Sequence, residues 1–87
     1  MFINVKKLNS KAKLPERATA TSAGADLCAC IDDDVVLMPG DRKLIPTGLA
    51  IAVPTGYGGF VFARSGLSSK FGVSLANCVG VIDSDYR

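Results

Sequence analysis

The chain alternates between short apolar runs and groups of turn-forming residues. Residues 2–6 alternate apolar and polar side chains, which is typical of a half-buried strand. Residues 35–38, 49–53 and 60–63 are apolar runs that predict three further strands, and residues 42–46 alternate again. Several short strands with turns between them predict an all-β protein, either a sandwich or a barrel.

Proline and glycine mark where the predicted strands end. Pro39-Gly40 follows one apolar run, and Pro54 ends the next, with turn residues 55–59 behind it. Residues 11–23 show no helical period, which predicts an extended or looping connection. Weak helical character is confined to residues 65–71, where we predict a single turn of helix.

Composition and charge are those of an ordinary small globular chain. With 48% hydrophobic content, residues 1–87 can form one domain with a modest core but not two. The net charge is +2 and the basic residues form no run, so no nucleic-acid or membrane partner is expected. No apolar stretch approaches the roughly 20 residues that cross a bilayer. The N-terminus places its apolar residues before its lysines, the reverse of a signal peptide.

The chain contains three cysteines and no histidine. The odd cysteine count argues against a disulfide framework, and the sequence offers too few further ligands for zinc. We therefore expect Cys28, Cys30 and Cys78 to be small buried thiols in a reducing cytoplasm. Without histidine, Ser-His and Cys-His nucleophile pairs are excluded, so the base of an enzyme would be a carboxylate.

A first group of residues with possible chemistry is Ser22-Ala23-Gly24-Ala25-Asp26-Leu27. Gly24 permits backbone conformations that are closed to other residues. Asp26 interrupts an apolar run, and a buried carboxylate is costly unless it is paired. Taken alone, Asp26 is more readily explained as a turn aspartate that accepts bonds from nearby backbone amides.

A second group, Arg64-Ser65-Gly66-Leu67-Ser68-Ser69-Lys70, directly follows a predicted strand. Arg64 offers a planar guanidinium suited to phosphate oxygens. Ser65 offers a hydroxyl, and Gly66 lets a ligand approach the backbone closely. N–H groups at the start of a helical turn here would face the same ligand. The spacing is not that of a P-loop, and a polar loop capping a short helix is the alternative.

A third group begins at Asn77 and is the densest in reactive side chains. Asn77 carries a donor and an acceptor, which suits the edge of a nucleobase, and Gly80 marks a tight turn or close approach. Asp83 and Asp85 would share one face of a strand and could orient a cation or a water, while Tyr86 could lie against a sugar ring. The alternative is a polar strand end with a surface tyrosine. Together the three groups suit metal-assisted hydrolysis of a nucleotide.

In this order and spacing, the three groups resemble the first three motifs of the homotrimeric dUTP diphosphatase (dUTPase) family. Ile45-Pro46-Thr47-Gly48-Leu49 and Pro54-Thr55-Gly56-Tyr57-Gly58 between them also resemble that family. The resemblance covers nearly the whole chain from Leu14 onward. It implies a β jelly roll of the β-clip type and hydrolysis of dUTP to dUMP and pyrophosphate, which supplies dUMP and keeps uracil out of DNA. It also implies active sites shared between the copies of a homotrimer.

The resemblance implies roles for the residues of the third group. Asp83 would activate the water that attacks the α-phosphorus. Tyr86 would pack against the deoxyribose and disfavour a 2′-hydroxyl. Asn77, with the nearby backbone at Gly80 and Val81, would bind uracil.

Roles are likewise implied for the other two groups. Arg64, Ser65 and Gly66 would contact the phosphates. Mg²⁺ would be held mainly by triphosphate oxygens, and Asp26 would orient the metal-bound phosphates through water. The metal would neutralise charge on the leaving pyrophosphate.

Two departures from the family pattern matter. Ala63 stands where the family often has proline, a mild change because proline would only preset the backbone there. The family also continues past the position of Arg87 with more strands, a fourth motif and a glycine-rich mobile arm. The resemblance therefore implies a chain truncated after its third motif, without the C-terminal strands, and poorly active by itself.

Two other functions are compatible with the same residues. A dCTP deaminase shares the fold, although Arg64-Ser65-Gly66-Leu67 is closer to the dUTPase pattern. A non-catalytic trimeric nucleotide-binding protein could keep the fold, although a scaffold would need none of Asp26, Ser65, Asp83 and Tyr86. Release of pyrophosphate from dUTP, rather than ammonia from dCTP, distinguishes the first alternative.

Overall fold

The computed structural model describes all 87 residues, which form four strands and one helix. The elements are β1 Asn4–Lys7, β2 Leu49–Ala52, β3 Gly59–Val61, α1 Ser65–Phe71 and β4 Gly80–Ile82. β1 pairs with β2 in one two-stranded sheet, and β3 pairs with β4 in a second. Strands with so little helix confirm the prediction of an all-β fold.

Most of the predicted elements are found close to their predicted positions. The strands predicted at 2–6, 49–53 and 60–63 correspond to β1, β2 and β3, and α1 has the predicted bounds. The predicted turn at Pro39-Gly40 is also present. Gly40 has φ of +85°, and the Asp41 N–H donates to the Met38 carbonyl at 2.9 Å.

The strand predicted at 35–38 is wrong, and the alternation at 42–46 does not correspond to a strand either. Residues 31–46, which we call the arm, contain no strand. Their backbone bonds occur only at the base, where the Cys30 N–H donates to the Pro46 carbonyl at 2.7 Å, and at the Pro39-Gly40 tip. A strand needs a hydrogen-bonded neighbour, and the backbone between base and tip has none in this chain.

The chain divides into two compact units, Val5–Ile51 and Met1–Asn4 with Ala52–Arg87. We call them the 5–51 unit and the 52–87 unit. The single domain predicted for residues 1–87 stays a prediction.

The packed centre of the 5–51 unit lies around Ala12, which is 3% exposed. A Cβ built on Gly48 would lie 2.9 Å from the Ala12 Cβ and 3.0 Å from the Cys30 Sγ. Gly48 also has φ of +70°, and its carbonyl accepts a 2.7 Å bond from the Leu8 N–H. Only glycine satisfies both the conformation and the available space.

In the 52–87 unit, the packed residue is Val53. Its Cγ2 lies 3.0 Å from the position of a Cβ on Gly59, the first residue of β3. β3 and β4 are antiparallel, in the register Gly59↔Ile82, Phe60↔Val81 and Val61↔Gly80.

Ala12 and Val53 are the two buried hydrophobic residues, and most large apolar side chains are exposed. Leu44 in the arm is fully exposed, and Val36 is 70% exposed. The expectation of three buried thiols is wrong: Cys78 is exposed, and Cys28 and Cys30 are half-buried, all three as free thiols. No helix is both long and apolar enough to cross a membrane.

Candidate active site

The second group of candidate residues lies where β3 leads into α1. Arg64 occupies the N-cap position with extended backbone, and its carbonyl accepts a 3.0 Å bond from the Ser68 N–H. Ser65 and Gly66 form the first turn of the helix and are exposed. The first N–H groups of a helix have no partner inside it. Residues 64–66 therefore offer three kinds of hydrogen-bond donor in succession, namely a guanidinium group, a hydroxyl group and backbone N–H groups.

Gly66 is not required by packing within the chain. A Cβ built at this position would meet no atom within 4 Å. Gly48, Gly59 and Gly80 differ, because a Cβ on each would lie within 3.2 Å of a neighbour. The open space beside Gly66 leaves the backbone of the helix start accessible to a ligand.

The helix is closed at its other end by Gly72. This residue has φ of 68°, and its N–H donates to the Ser68 carbonyl at 2.9 Å, while the Val73 N–H donates to the Leu67 carbonyl at 3.3 Å. The Ser68 hydroxyl also donates to the Val73 carbonyl at 3.0 Å. These bonds hold the short helix, and thus Arg64 and Ser65 at its start, without any buried residue in the helix itself.

Asn77 lies in the turn that leads into β4. The Cys78 N–H donates to the Leu75 carbonyl at 3.1 Å. The Asn77 Nδ2 lies 4.0 Å from the position of a Cβ on Gly80. Asn77 is exposed, and Gly80 is half-buried against Val61. The turn thus brings together two of the residues expected to bind a base, and Val81 follows them in β4.

Asp83 and Asp85 do not share the face of a strand, so that prediction is wrong. β4 ends at Ile82, and a turn follows in which the Tyr86 N–H donates to the Asp83 carbonyl at 3.1 Å. In a turn, side chains two residues apart lose the period-two alternation on which the prediction rested. Asp83 and Tyr86 are instead the first and last residues of one tight turn, and both side chains are exposed.

The antiparallel ladder separates the candidate residues of this unit into two sets. Val61 pairs with Gly80, so Arg64 and Asn77 leave the ladder at the same end. Gly59 pairs with Ile82, so Asp83 leaves it at the opposite end. The two ends are about 7 Å apart along the strands, at about 3.4 Å per residue. Asp83 and the helix start thus lie beyond different ends of the β3–β4 ladder.

Asp26 belongs to the 5–51 unit. Its N–H donates to the Glu16 carbonyl at 2.8 Å, as part of an isolated antiparallel bridge. The half-buried Asp26 lines a cavity of about 570 Å³. Other charged residues of that lining are Lys7, Lys13, Glu16 and Arg17. Among the charged residues of this lining, three cations therefore outnumber two carboxylates.

No group of three or more Asp, Glu, His or Cys side chains is placed to hold a metal ion. Asp26 offers a single carboxylate at the cavity. Such a donor fits Mg²⁺, which usually keeps several waters and is bound through one or two carboxylates plus substrate phosphates.

Two features of this region escaped the sequence analysis. Phe60, an exposed aromatic residue, lies opposite Val81 across the ladder, and no pattern along one strand reveals its cross-strand partner. Cys78 has a left-handed backbone, with φ of 65°. Nothing in the sequence signals this, because cysteine is not among the residues that favour that conformation.

Residues 10–87 match the sequence model of the dUTPase family. The deoxyuridine 5′-triphosphate nucleotidohydrolase of Syntrophotalea carbinolica is 53% identical over 98% of this chain and 58% of its own length. That of Desulfitobacterium hafniense is 60% identical over 86% of this chain and 50% of its own length. The chain thus spans about half the length of these curated relatives.

Solved structures give the same result. A mutant dUTPase from phage phi11 of S. aureus, studied for its coordination of a structural Mg(II) ion, matches with a TM-score of 0.86 and 36% identity. The match covers 99% of this chain and 54% of that one. A mutant of the Staphylococcus bacteriophage 80alpha dUTPase with dUpNHpp matches with a TM-score of 0.87 and 37% identity over 99% of this chain and 48% of that one.

Proposed function

This chain belongs to the dUTPase family, and on that premise we propose that the protein carrying it hydrolyses dUTP to dUMP and pyrophosphate. The observation that carries this proposal is the placement of candidate groups along β4. Asn77 and Gly80 lie at the start of the strand, and Asp83 and Tyr86 lie just beyond its end.

The length of β4 suits one nucleotide. Gly80 and Asp83 are three residues apart, or about 10 Å in extended backbone, which is comparable with the span of a pyrimidine nucleotide. We infer that the base lies at Asn77, Gly80 and Val81. The deoxyribose then lies against the exposed ring of Tyr86.

Asp83 is the proposed general base. Its exposed carboxylate takes a proton from a water whose oxygen bonds to the α-phosphorus. The bond from that phosphorus to the oxygen bridging to the β-phosphorus breaks, and pyrophosphate leaves with the electron pair. General bases of this kind contribute typically 10²–10⁴-fold to the rate.

The triphosphate is proposed to contact Arg64, Ser65 and Gly66. Exposed charge, a hydroxyl and open space beside Gly66 support this assignment. Because Asp83 leaves the β3–β4 ladder at the end opposite to Arg64, we infer that one copy supplies the helix start and another supplies Asp83.

A homotrimer with shared active sites accounts for this separation. The large exposed apolar residues, such as Leu44 and Val36, support assembly with further protein surface, because apolar side chains gain free energy when they are removed from water. A cytoplasmic location stays a prediction.

Mg²⁺ is the proposed cofactor. Bound mainly to triphosphate oxygens, it would neutralise charge on the leaving pyrophosphate. Asp26 would orient the metal-bound phosphates through water, and the basic residues Lys7, Lys13 and Arg17 around its cavity would favour an anionic ligand.

The test compares two carboxylates in the same turn, Asp83 and Asp85. Asp83→Asn is expected to lower kcat for dUTP by about 10²–10⁴-fold while dUTP binding persists. Asp85→Asn is the matched control and should keep most of the activity. Unchanged turnover in Asp83→Asn refutes the assignment of the base.

Product analysis of the unaltered protein separates the alternative functions. Equal amounts of dUMP and pyrophosphate from dUTP support the proposal. Ammonia from dCTP would instead identify a deaminase, and tight dUTP binding without any product would identify a non-catalytic binding protein.

A further inference from the structure

The turn that carries Asn77 is built around a residue in an unfavourable backbone conformation. Cys78, with φ of 65°, is the one non-glycine residue of the chain with positive φ. The Val79 N–H donates to the Asn77 carbonyl at 2.7 Å, which closes a three-residue γ-turn with Cys78 at its centre. γ-turns with a positive central φ are rare and strained.

The strained residue is held from both sides. On one side, the Cys78 N–H donates to the carbonyl of the half-buried Leu75. On the other side, the half-buried Val79 leads into β4, whose first residue, Gly80, pairs with Val61. Strained residues persist only where the surrounding structure over-determines them, and they cluster at ligand-binding sites.

The contribution of Cys78 is its backbone and not its thiol. The side chain is exposed and free, whereas the backbone reversal bears directly on Asn77. The Asn77 Nδ2 lies 4.0 Å from the position of a Cβ on Gly80, so the amide is folded back toward the start of β4. A negative φ at residue 78 would invert the hand of the γ-turn and so turn residue 77 away from this position.

We propose that Cys78 is a positioning residue for pyrimidine binding, whose left-handed conformation holds the Asn77 amide at the start of β4. This inference rests on the proposed function, in which Asn77 binds the base. It requires residue 78 to tolerate positive φ, which glycine does freely and β-branched residues do not.

The test uses Cys78→Val and Cys78→Gly in the protein that carries this chain. Cys78→Val is expected to raise KM for dUTP about tenfold, or about 1.4 kcal/mol, with kcat nearly unchanged. Inhibition by inorganic tripolyphosphate, which has no base, should be unaltered. Cys78→Gly should match the unaltered protein in KM. Ser74→Val, in an exposed loop position without positive φ, is the control for a new β-branched residue.

Each outcome decides the inference. An unaltered KM in Cys78→Val overturns it, and so does equal weakening of dUTP and tripolyphosphate, which would indicate a merely structural effect. If the unaltered protein has no activity on dUTP, the proposed function fails as well, and that result is distinct from an active protein with an insensitive residue 78. Should Cys78→Val not fold, dUMP binding must be tighter in Cys78→Gly than in Cys78→Ala, and the reverse order refutes the inference.

Discussion

The two units of this chain differ in how many of their backbone N–H and C=O groups form hydrogen bonds within the same unit. In the 52–87 unit, the β3–β4 ladder, the Gly72 cap and the Asp83–Tyr86 turn each close on neighbouring elements. In the 5–51 unit, the chain packs tightly around Ala12 and Gly48, yet the backbone of the 31–46 arm forms backbone–backbone bonds only at its base and tip. Most candidate catalytic groups therefore lie on locally closed elements, whereas the arm needs partners that its own unit does not supply.

The largest expected effect tests whether Arg64 and Asp83, at opposite ends of the β3–β4 ladder, serve one active site from the same copy or from two different copies. Arg64→Ala and Asp83→Asn should each lose roughly hundredfold or more in turnover, because each removes a charged group that acts on the substrate. If the copies share active sites, an equal mixture refolded together should recover about a quarter of the unaltered rate, since random assembly reunites both intact groups at that frequency.

The control for this mixture is each variant refolded alone. A mixture no more active than its better component would show that Arg64 and Asp83 of the same copy serve the same site. That result would refute the inference that one copy supplies the helix start and another copy supplies Asp83.

The next effect concerns stability and probes the packed centre of the 5–51 unit. Gly48→Ala should lower the free energy of unfolding by about 2–4 kcal/mol, because the new methyl group meets Ala12 and Cys30 and the residue is left-handed. Urea denaturation measures this loss. Gly40→Ala is the matched control. It also has positive φ but has no atom within 4 Å of its Cβ position, so it should lose only about 1 kcal/mol. Equal losses in the two variants would refute the packing argument.

Gly66→Ala is the counterpart in the 52–87 unit. It should not lower the unfolding free energy and could raise it by up to about 1 kcal/mol, because its Cβ meets no atom within 4 Å and alanine favours a helix over glycine. It should nevertheless lower kcat/KM about tenfold, or about 1.4 kcal/mol, by placing a methyl group where the phosphates approach. Gly58→Ala, in ordinary contact with Phe60 at 3.5 Å, should keep its activity. Full activity in Gly66→Ala would argue against a phosphate site at the helix start.

The smallest effect tests the closure of α1. Ser68→Ala removes the 3.0 Å bond to the Val73 carbonyl and should cost about 0.5–1 kcal/mol in thermal or urea unfolding. Ser69→Ala removes only a 3.4 Å bond to the Gly66 carbonyl and serves as the control with little effect. If the two variants are equally stable, the Ser68 hydroxyl does not hold the helix end.

The elements that could be predicted from the sequence are those whose signals are local. Residues 65–71 form the predicted helix, and the Pro39-Gly40 turn lies where proline and glycine require it. Residues 35–38 and 42–46 have strand-like side chains but do not form strands. The pattern of apolar and polar side chains shows which side chains would share a face, but it does not show whether a neighbouring strand is available for hydrogen bonding.

The candidate site was predictable in its residue types and less so in its geometry. The motif order identified Asp26, Arg64, Asn77, Asp83 and Tyr86, and their assigned roles stay predictions. A turn follows Ile82 because the ladder ends at the Gly59–Ile82 pair, so Asp83 and Asp85 do not share the face of a strand. The spacing of two aspartates does not reveal where that ladder ends. The left-handed Cys78 depends on the bonds around Leu75 and Val79 and has no signature in its own side chain.

The open backbone of the arm has a consequence for refolding kinetics. The helix and its cap form from contacts near in sequence, which makes them fast, whereas the arm must wait for partners that its own unit does not supply. Until then its unpaired N–H and C=O groups, beside exposed residues such as Leu44, can pair with any other unfolded copy. The yield of native protein should therefore fall with increasing protein concentration, so refolding is best done by slow dilution.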